Sequence, residues 1–385
     1  MSIRQPLMWA TVLYIIGILL GNALPGNLFI YALWASAGLL LAATLIRRKT
    51  PVTDALLFTF WMTLGIARIG MHREMPGVNP YYQTVCRKAQ QERERLTDRL
   101  QEGGLEDEAL SVSAALLLGQ KNELDRQTRK NYAQAGASHL LALSGMHLGI
   151  IYGIIYTLFV VRIRYSEWKW FSLPLVLLVI WGYAFIAGMP TSLVRAGVML
   201  SLVTVASLAQ SDTPPLHILA LSALIILLFS PDELFSISFQ LSFLAVFFIV
   251  VLYQPLKRTI HTHNIILNLF LLSLIAQLGT APLSIYYFHT LPLMGAVVSV
   301  VLIPLTTIII YLGLLTLLLP ISPFVWLLST AVTAQNWIVK TAADCSYTTI
   351  TNLYPTWWQV FLVYLLLLCI IARSHIRWNM EDFSR

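Results

Sequence analysis

Residues 136–149 read GASHLLALSGMHLG, from Gly136 to Gly149. The stretch is apolar enough for a membrane helix, yet it carries two histidines, two serines and three glycines. Placed on one helix over 138–153, Ser138, Ala142, Gly145, Gly149 and Gly153 recur at spacings of four, three, four and four. They form a single small-residue stripe, which lets a neighbouring helix backbone approach closely. Gly145, Gly149 and Gly153 are therefore expected to be helix-packing positions. On the same helix His139 sits at one end, and His147 lies about 12 Å farther along. An imidazole hydrogen-bonded to a neighbouring helix and an imidazole lining a polar cavity are the two readings open at both positions.

The rest of the chain sets the medium for this helix. Of 385 residues 57% are hydrophobic, and 20 of the 43 charged side chains fall between Met71 and Lys130. A soluble chain of this length needs charge spread over its whole surface. Long apolar runs on so depleted a background indicate a polytopic membrane protein. Twelve such runs occur, at 7–24, 28–46, 52–70, 139–160, 171–188, 191–208, 216–229, 235–253, 264–288, 291–319, 324–345 and 357–372. The expected fold is an all-α, polytopic integral membrane helical bundle of about 10–12 transmembrane or re-entrant helices. The first run lacks a clear cleavage site and reads as a retained helix rather than a signal peptide. Cys86, Cys345 and Cys369 form no close pair, which excludes a CxxC redox pair and a cysteine-rich zinc site. The net charge of +7 carries little weight by itself, because membrane proteins hold basic loops for topological reasons.

Those basic loops give an orientation. Arg47, Arg48, Lys49, Arg162, Arg164, Lys169, Lys257 and Arg258 all fall in short loops on one side, and the alternate short loops hold no lysine or arginine. Both termini are then expected in the cytoplasm, with residues 71–130 outside. The chain divides into an N-terminal three-helix membrane segment (1–70), a charged external amphipathic segment (71–114), a membrane domain (115–372) and a cytoplasmic tail (373–385). Within 71–130 the charges balance, ten basic against ten acidic, in mixed-sign helical spacing. A solvated helix lying on the bilayer is favoured over a nucleic-acid patch.

Three other apolar segments carry polar anomalies. GMPTSLVRAGVML (188–200) sets Arg195 about one and a half turns, some 7 Å, below a helix start. An arginine there faces protein or water, or snorkels outward, and a helix N-terminus beside it favours an anion. SPDELFSISFQLSFLAVFF (230–248) buries Gln240, with Ser236 before it and Ser242 after it. In AQLGTAPLSIYYFHTLPLMGAVVSVVLIP (276–304), Gln277 precedes Gly279-Thr280-Ala281-Pro282, which reads as a break in the helix. Non-helical backbone at that depth is tolerated only against protein or water. Together these residues are expected to line a polar vestibule.

ALLLGQKNELDRQTRKNYAQAGASHLLALSGMHLGI (115–150) closely resembles the hallmark segment of ComEC-type competence proteins, and the other three motifs follow in the family's order. The resemblance implies a bacterial inner-membrane, multi-pass channel that takes up single-stranded DNA in natural transformation. Ser138, His139, Ser144, His147, Arg195, Gln240, Ser242, Gln277 and Pro282 match its motif positions and are the candidates for the DNA path. The implied partners are a cytoplasmic helicase-like ATPase and a periplasmic DNA receptor, besides the lipid bilayer. A homodimer is a further candidate assembly. No cofactor, metal site or catalytic residue is expected. The family's OB-like and metallo-β-lactamase-like domains find no counterpart in this sequence, and Ser299 stands where the family often has asparagine. A minimal channel module, an inactive channel paralogue and a truncated product are the resulting readings.

Two rival functions are weaker. Ser144-Gly145 faintly resembles a rhomboid-type nucleophile, but no apolar segment supplies the matching histidine motif. A small-molecule or lipid transporter predicts inverted repeats with broken helices in corresponding halves, and the sequence displays no such repeat.

Overall fold

The computed structural model describes residues 6–25, 28–45, 51–74, 80–120, 124–162, 167–260, 264–345 and 349–382. Arg47, Arg48, Lys49, Arg164 and the 261–263 loop lie outside the described residues. The first helices are α1 (Pro6–Ala23), α2 (Phe29–Leu45), α3 (Pro51–Glu74), α4 (Pro80–Glu102), α5 (Asp107–Leu118) and α6 (Arg126–Gln134). Next come α7 (Ser138–Leu141), α8 (Gly145–Ile155) with a π-helical continuation over Tyr156–Val161, α9 (Ser172–Ile186), α10 (Thr191–Leu208), α11 (Pro215–Phe229) and α12 (Ile237–Ile260). The remaining helices are α13 (Ile265–Phe288), α14 (Gly295–Leu318), α15 (Ser322–Asp344) and α16 (Trp357–Asp382). One pair of two-residue strands, β1 (Leu291–Pro292) and β2 (Thr349–Ile350), interrupts the otherwise helical architecture.

Among the described residues, seven helical stretches are long and apolar enough to cross a membrane, and four shorter apolar helices accompany them. Their outward residues are large and apolar; Trp34, Leu178 and Leu318 are each 70% exposed or more. Water would penalise such a surface, and lipid does not. The chain is a polytopic helical membrane protein.

Its contacts divide into two compact units, Met1–Thr84 with Ser201–Gln240, and Val85–Leu200 with Leu241–Arg385. In the first unit α1 and α3 run parallel and touch backbone to backbone. A Cβ on Gly17 would lie 3.1 Å from Gly65 Cα, and one on Gly21 would lie 2.8 Å from Ile66 Cα. Gly17 and Gly21 form a GxxxG pair on one face of α1, the pattern that permits such an approach. From the last turns of α3, Arg68 donates through Nε to Leu228 O (2.7 Å) and through Nη2 to Phe229 O (2.9 Å). Those carbonyls end α11 and have no partner within their own helix. Four residues on, His72 Nε2 lies 2.9 Å from the Asp232 carboxylate.

In the second unit the β1–β2 pair ties the α13–α14 connection to the α15–α16 connection, Leu291 opposite Ile350 and Pro292 opposite Thr349. The end of α6 joins the same place, where Thr349 Oγ1 donates to Gln134 O at 2.8 Å. Gly136, at φ +73°, completes the contact; a Cβ there would come 2.8 Å from Pro292 Cβ and 2.9 Å from Gly295 Cα. At the opposite end of α14, a Cβ on Gly103 would lie 3.6 Å from Pro320 Cβ. The 24 residues of α14 measure about 36 Å, more than the roughly 30 Å of a hydrocarbon core. Gly103 and Gly136 therefore lie at opposite ends of α14.

Within the stretch 71–130, expected to lie outside, α5 departs from a helix resting on a bilayer surface: every residue from Val112 to Leu118 is buried. A bilayer surface covers only one side of a helix, and two turns buried all round need protein on every side. The helix break expected at Gly279–Pro282 is also absent: α13 continues through Pro282, and a second internal proline, Pro304, likewise leaves its helix α14 intact. Proline removes one backbone donor, and a neighbouring helix compensates by bonding a nearby carbonyl: Tyr364 Oη of α16 donates to Gly279 O at 3.0 Å.

A candidate substrate path in the second unit

A real break occurs instead within the quoted stretch. The expected continuous helix over 138–153 is two helices, with Ala142 (ψ 125°) and Ser144 (φ −124°, ψ 167°) extended between them. Ser144 is the N-cap residue of α8, a position serine favours. Its Oγ does not cap a backbone N–H but lies 3.0 Å from Nδ1 of His147. His147 is fully buried, and its Nε2 has no hydrogen-bond partner. Ser138 and His139 on α7 are exposed.

The break changes the role of the glycines. A Cβ on Gly145 would lie 3.1 Å from Ala196 Cβ of α10, whereas at Gly149 and Gly153 it would meet open space. The small-residue stripe is thus not a continuous packing seam. The extended residues rotate α8 relative to α7, and only Gly145 keeps a close neighbour.

That neighbour is the first part of α10. Ser192 Oγ donates to Leu143 O at 2.6 Å, fixing the beginning of α10 to the carbonyl just before α8. The N-terminal ends of α8 and α10 therefore lie side by side, with Gly145 and Thr191 exposed. Each presents backbone N–H groups without intrahelical partners and the positive end of a helix dipole. Arg195 lies one turn beyond Ser192, and at 2% exposure it is among the largest fully buried side chains of the described residues. It does not snorkel to the surface. Gly188, at φ +83°, precedes α10, and a Cβ there would come 3.2 Å from Nη1 of Arg93 on α4.

The remaining candidates are dispersed. Gln277 Nε2 donates to Pro292 O, at the end of α14 that also receives Gly136. Ser242 and Pro282 are half-buried on α12 and α13. Gln240 belongs to the other compact unit, where its Nε2 folds back to Leu234 O at 3.0 Å. Sequence reasoning missed Arg93, Ser192 and Tyr183, whose hydroxyl donates to Leu117 O at 2.9 Å. A signal for Arg93 existed, since Ala89, Arg93, Thr97 and Leu100 recur at four, four and three residues and form the inward face of α4. No group of three or more histidine, cysteine, aspartate or glutamate residues suited to a metal occurs among the described residues.

Helices long and apolar enough to cross a bilayer, packed on one another, define the chain as a multi-pass integral membrane protein. It belongs to the competence protein family, whose pattern residues 116–377 match. It is 30% identical over 282 residues to ComE operon protein 3 of Bacillus subtilis, covering 70% of this chain and 35% of that protein. Recombination protein 2 of Haemophilus influenzae is 27% identical over 224 residues, 54% of this chain and 28% of that protein. An uncharacterized protein of Aquifex aeolicus is 28% identical over 227 residues, 59% of this chain and 52% of that protein. The chain thus spans about a third of the length of the first two relatives. No solved structure matches it.

Proposed function

We propose that this chain forms a membrane channel that admits single-stranded DNA during natural transformation. The observation that carries the reading is the meeting of the α8 and α10 N-termini beside Arg195, fixed by the 2.6 Å bond from Ser192 to Leu143 O. Two helix dipoles and a buried guanidinium in the first turns of α10 make a point of positive potential, suited to a phosphate passing along a DNA backbone. Interrupted helices with their N-termini turned toward an anion are a recurrent solution in membrane transport. Ser138, His139 and Gln277 lie on the approach to this point in the reading, and Ser144 and His147 at it. Gln240, Ser242 and Pro282 stand as further path candidates on the resemblance alone. The short-loop charges support an orientation with both termini in the cytoplasm. As the family resemblance implies, force comes from a separate cytoplasmic helicase-like ATPase, with a periplasmic receptor delivering the strand.

Arg195→Gln tests the reading. Uptake of labelled single-stranded DNA per folded molecule should fall, Arg195→Lys should retain part of it, and the advantage of the parent chain should shrink as salt rises. Unchanged uptake per molecule in Arg195→Gln would make the arginine a packing residue and refute its role in the path.

A further inference from the structure

The short helix α5 occupies an unusual position. It is 12 residues long, about 18 Å, too short to cross a bilayer by itself. Yet its residues 112–118 are buried on every face. It packs against α14, α15 and α7, and α9 reaches it through the Tyr183 hydroxyl. It fills the interior of the second unit rather than forming part of its wall.

Its seat is made for insertion. A Cβ on Gly313 of α14 would run into the Leu117 side chain, so the glycine leaves a notch that the leucine fills. Its C-terminal cap, Gly119, lies against Leu143, the residue whose carbonyl anchors α10. The helix therefore ends at the α8–α10 junction itself. Both of its ends carry left-handed backbone, with Gly104 at φ +100° before it, Asp107 at φ +48° as its first residue and Gly119 at φ +73° after it. Such points change direction sharply and suit a segment that moves as a unit. Ser113 Oγ is buried without a hydrogen-bond partner, a hydroxyl that leaving the seat would rehydrate.

We propose that α5 is a plug, held in the interior of the second unit and displaced when the path past the α8–α10 junction opens. The inference rests on the uptake reading only for the identity of what passes; the movement itself is a separate claim with its own readout.

The test uses the full chain with Cys86, Cys345 and Cys369 replaced by serine. Ser113→Cys, a nearly isosteric change, is exposed in cells to a membrane-impermeant maleimide. Leu328→Cys, fully buried on α15, serves as the static control. A plug that leaves its seat gives progressive labelling at position 113 and none at 328. Leu117→Cys with Gly313→Cys removes the leucine from its notch and pairs the two positions for a disulfide. Oxidation should then stop labelling at 113 and abolish DNA uptake, and reduction should restore both. Labelling at 113 no faster than at 328 overturns the plug, as does full uptake through the oxidised, cross-linked protein. If the parent chain takes up no DNA, the uptake reading falls, and the labelling comparison still decides whether α5 moves.

Discussion

The most informative stability test removes a single oxygen atom. Tyr132 of α6 is 1% exposed, and its hydroxyl accepts from Gln335 Nε2 at 3.0 Å and donates to Asn336 Oδ1 at 2.9 Å. Gln335 Oε1 in turn accepts from Thr306 Oγ1 of α14 at 3.1 Å. One buried chain of hydrogen bonds thus ties α6 to α15 and α14. Tyr132→Phe keeps the ring and its packing, and it strands the amide of Gln335, which has no exposed surface. A buried polar group left unpaired costs about 1–3 kcal/mol. Hydrogen bonds between membrane helices average nearer ~0.6 kcal/mol, with an upper value of ~1.7. The expected loss is therefore about 1–2 kcal/mol, roughly tenfold in the unfolding constant. Reversible unfolding in mixed micelles measures it. Adding Gln335→Leu should recover part of the loss, because two apolar partners leave nothing stranded. The reasoning is refuted if Tyr132→Phe is neutral, or if the two changes add within about 0.3–0.5 kcal/mol, since residues that share a bond should couple more strongly.

Two further outcomes follow from the helix ends and crossings. Arg68→Gln should destabilise the chain by about 1.5–3 kcal/mol, the value of bonds from a charged donor, with Arg68→Lys intermediate because one point charge cannot serve both carbonyls; equal melting of parent and glutamine variant in detergent would contradict the capping role. Gly145→Leu should lower the yield of folded protein because Ala196 stands 3.1 Å from the new Cβ, whereas Gly149→Leu should be mild because its Cβ meets open space; the reverse order of yields would restore the continuous stripe.

Much of the architecture was legible in the sequence because the bilayer fixes it. A segment that crosses must be helical, about 20 residues long and apolar, and the runs at 7–24, 191–208 and 264–288 correspond closely to α1, α10 and α13. The Gly17–Gly21 pair was equally legible, and it, rather than the Gly145–Gly153 stripe, became the close helix crossing. The unusual polar residues were likewise visible as exceptions within apolar runs. Of these, Ser144 and His147 came together with each other, and Arg195 came to lie along α10 from Ser192, which bonds the carbonyl just before Ser144.

What the sequence determined by itself is the medium, the helical character and order of the long apolar segments, and which side chains are out of place in lipid. Each of these depends on composition over a local window. What the tertiary structure alone decided depends on partners distant in the chain. The Gly279–Pro282 segment stayed helical, with a tyrosine 85 residues away on the Gly279 carbonyl. The Ala142–Ser144 segment broke without a proline, where Ser192, 49 residues on, holds the Leu143 carbonyl. Helix α5 reads locally like a surface helix, with charge at its start and small apolar residues after it. It is interior because Gly313, some 200 residues later, leaves room for Leu117. A hydrogen bond or a notch supplied from far along the chain leaves no trace in local periodicity, so only the folded bundle could show where the helices break and what fills the space between them.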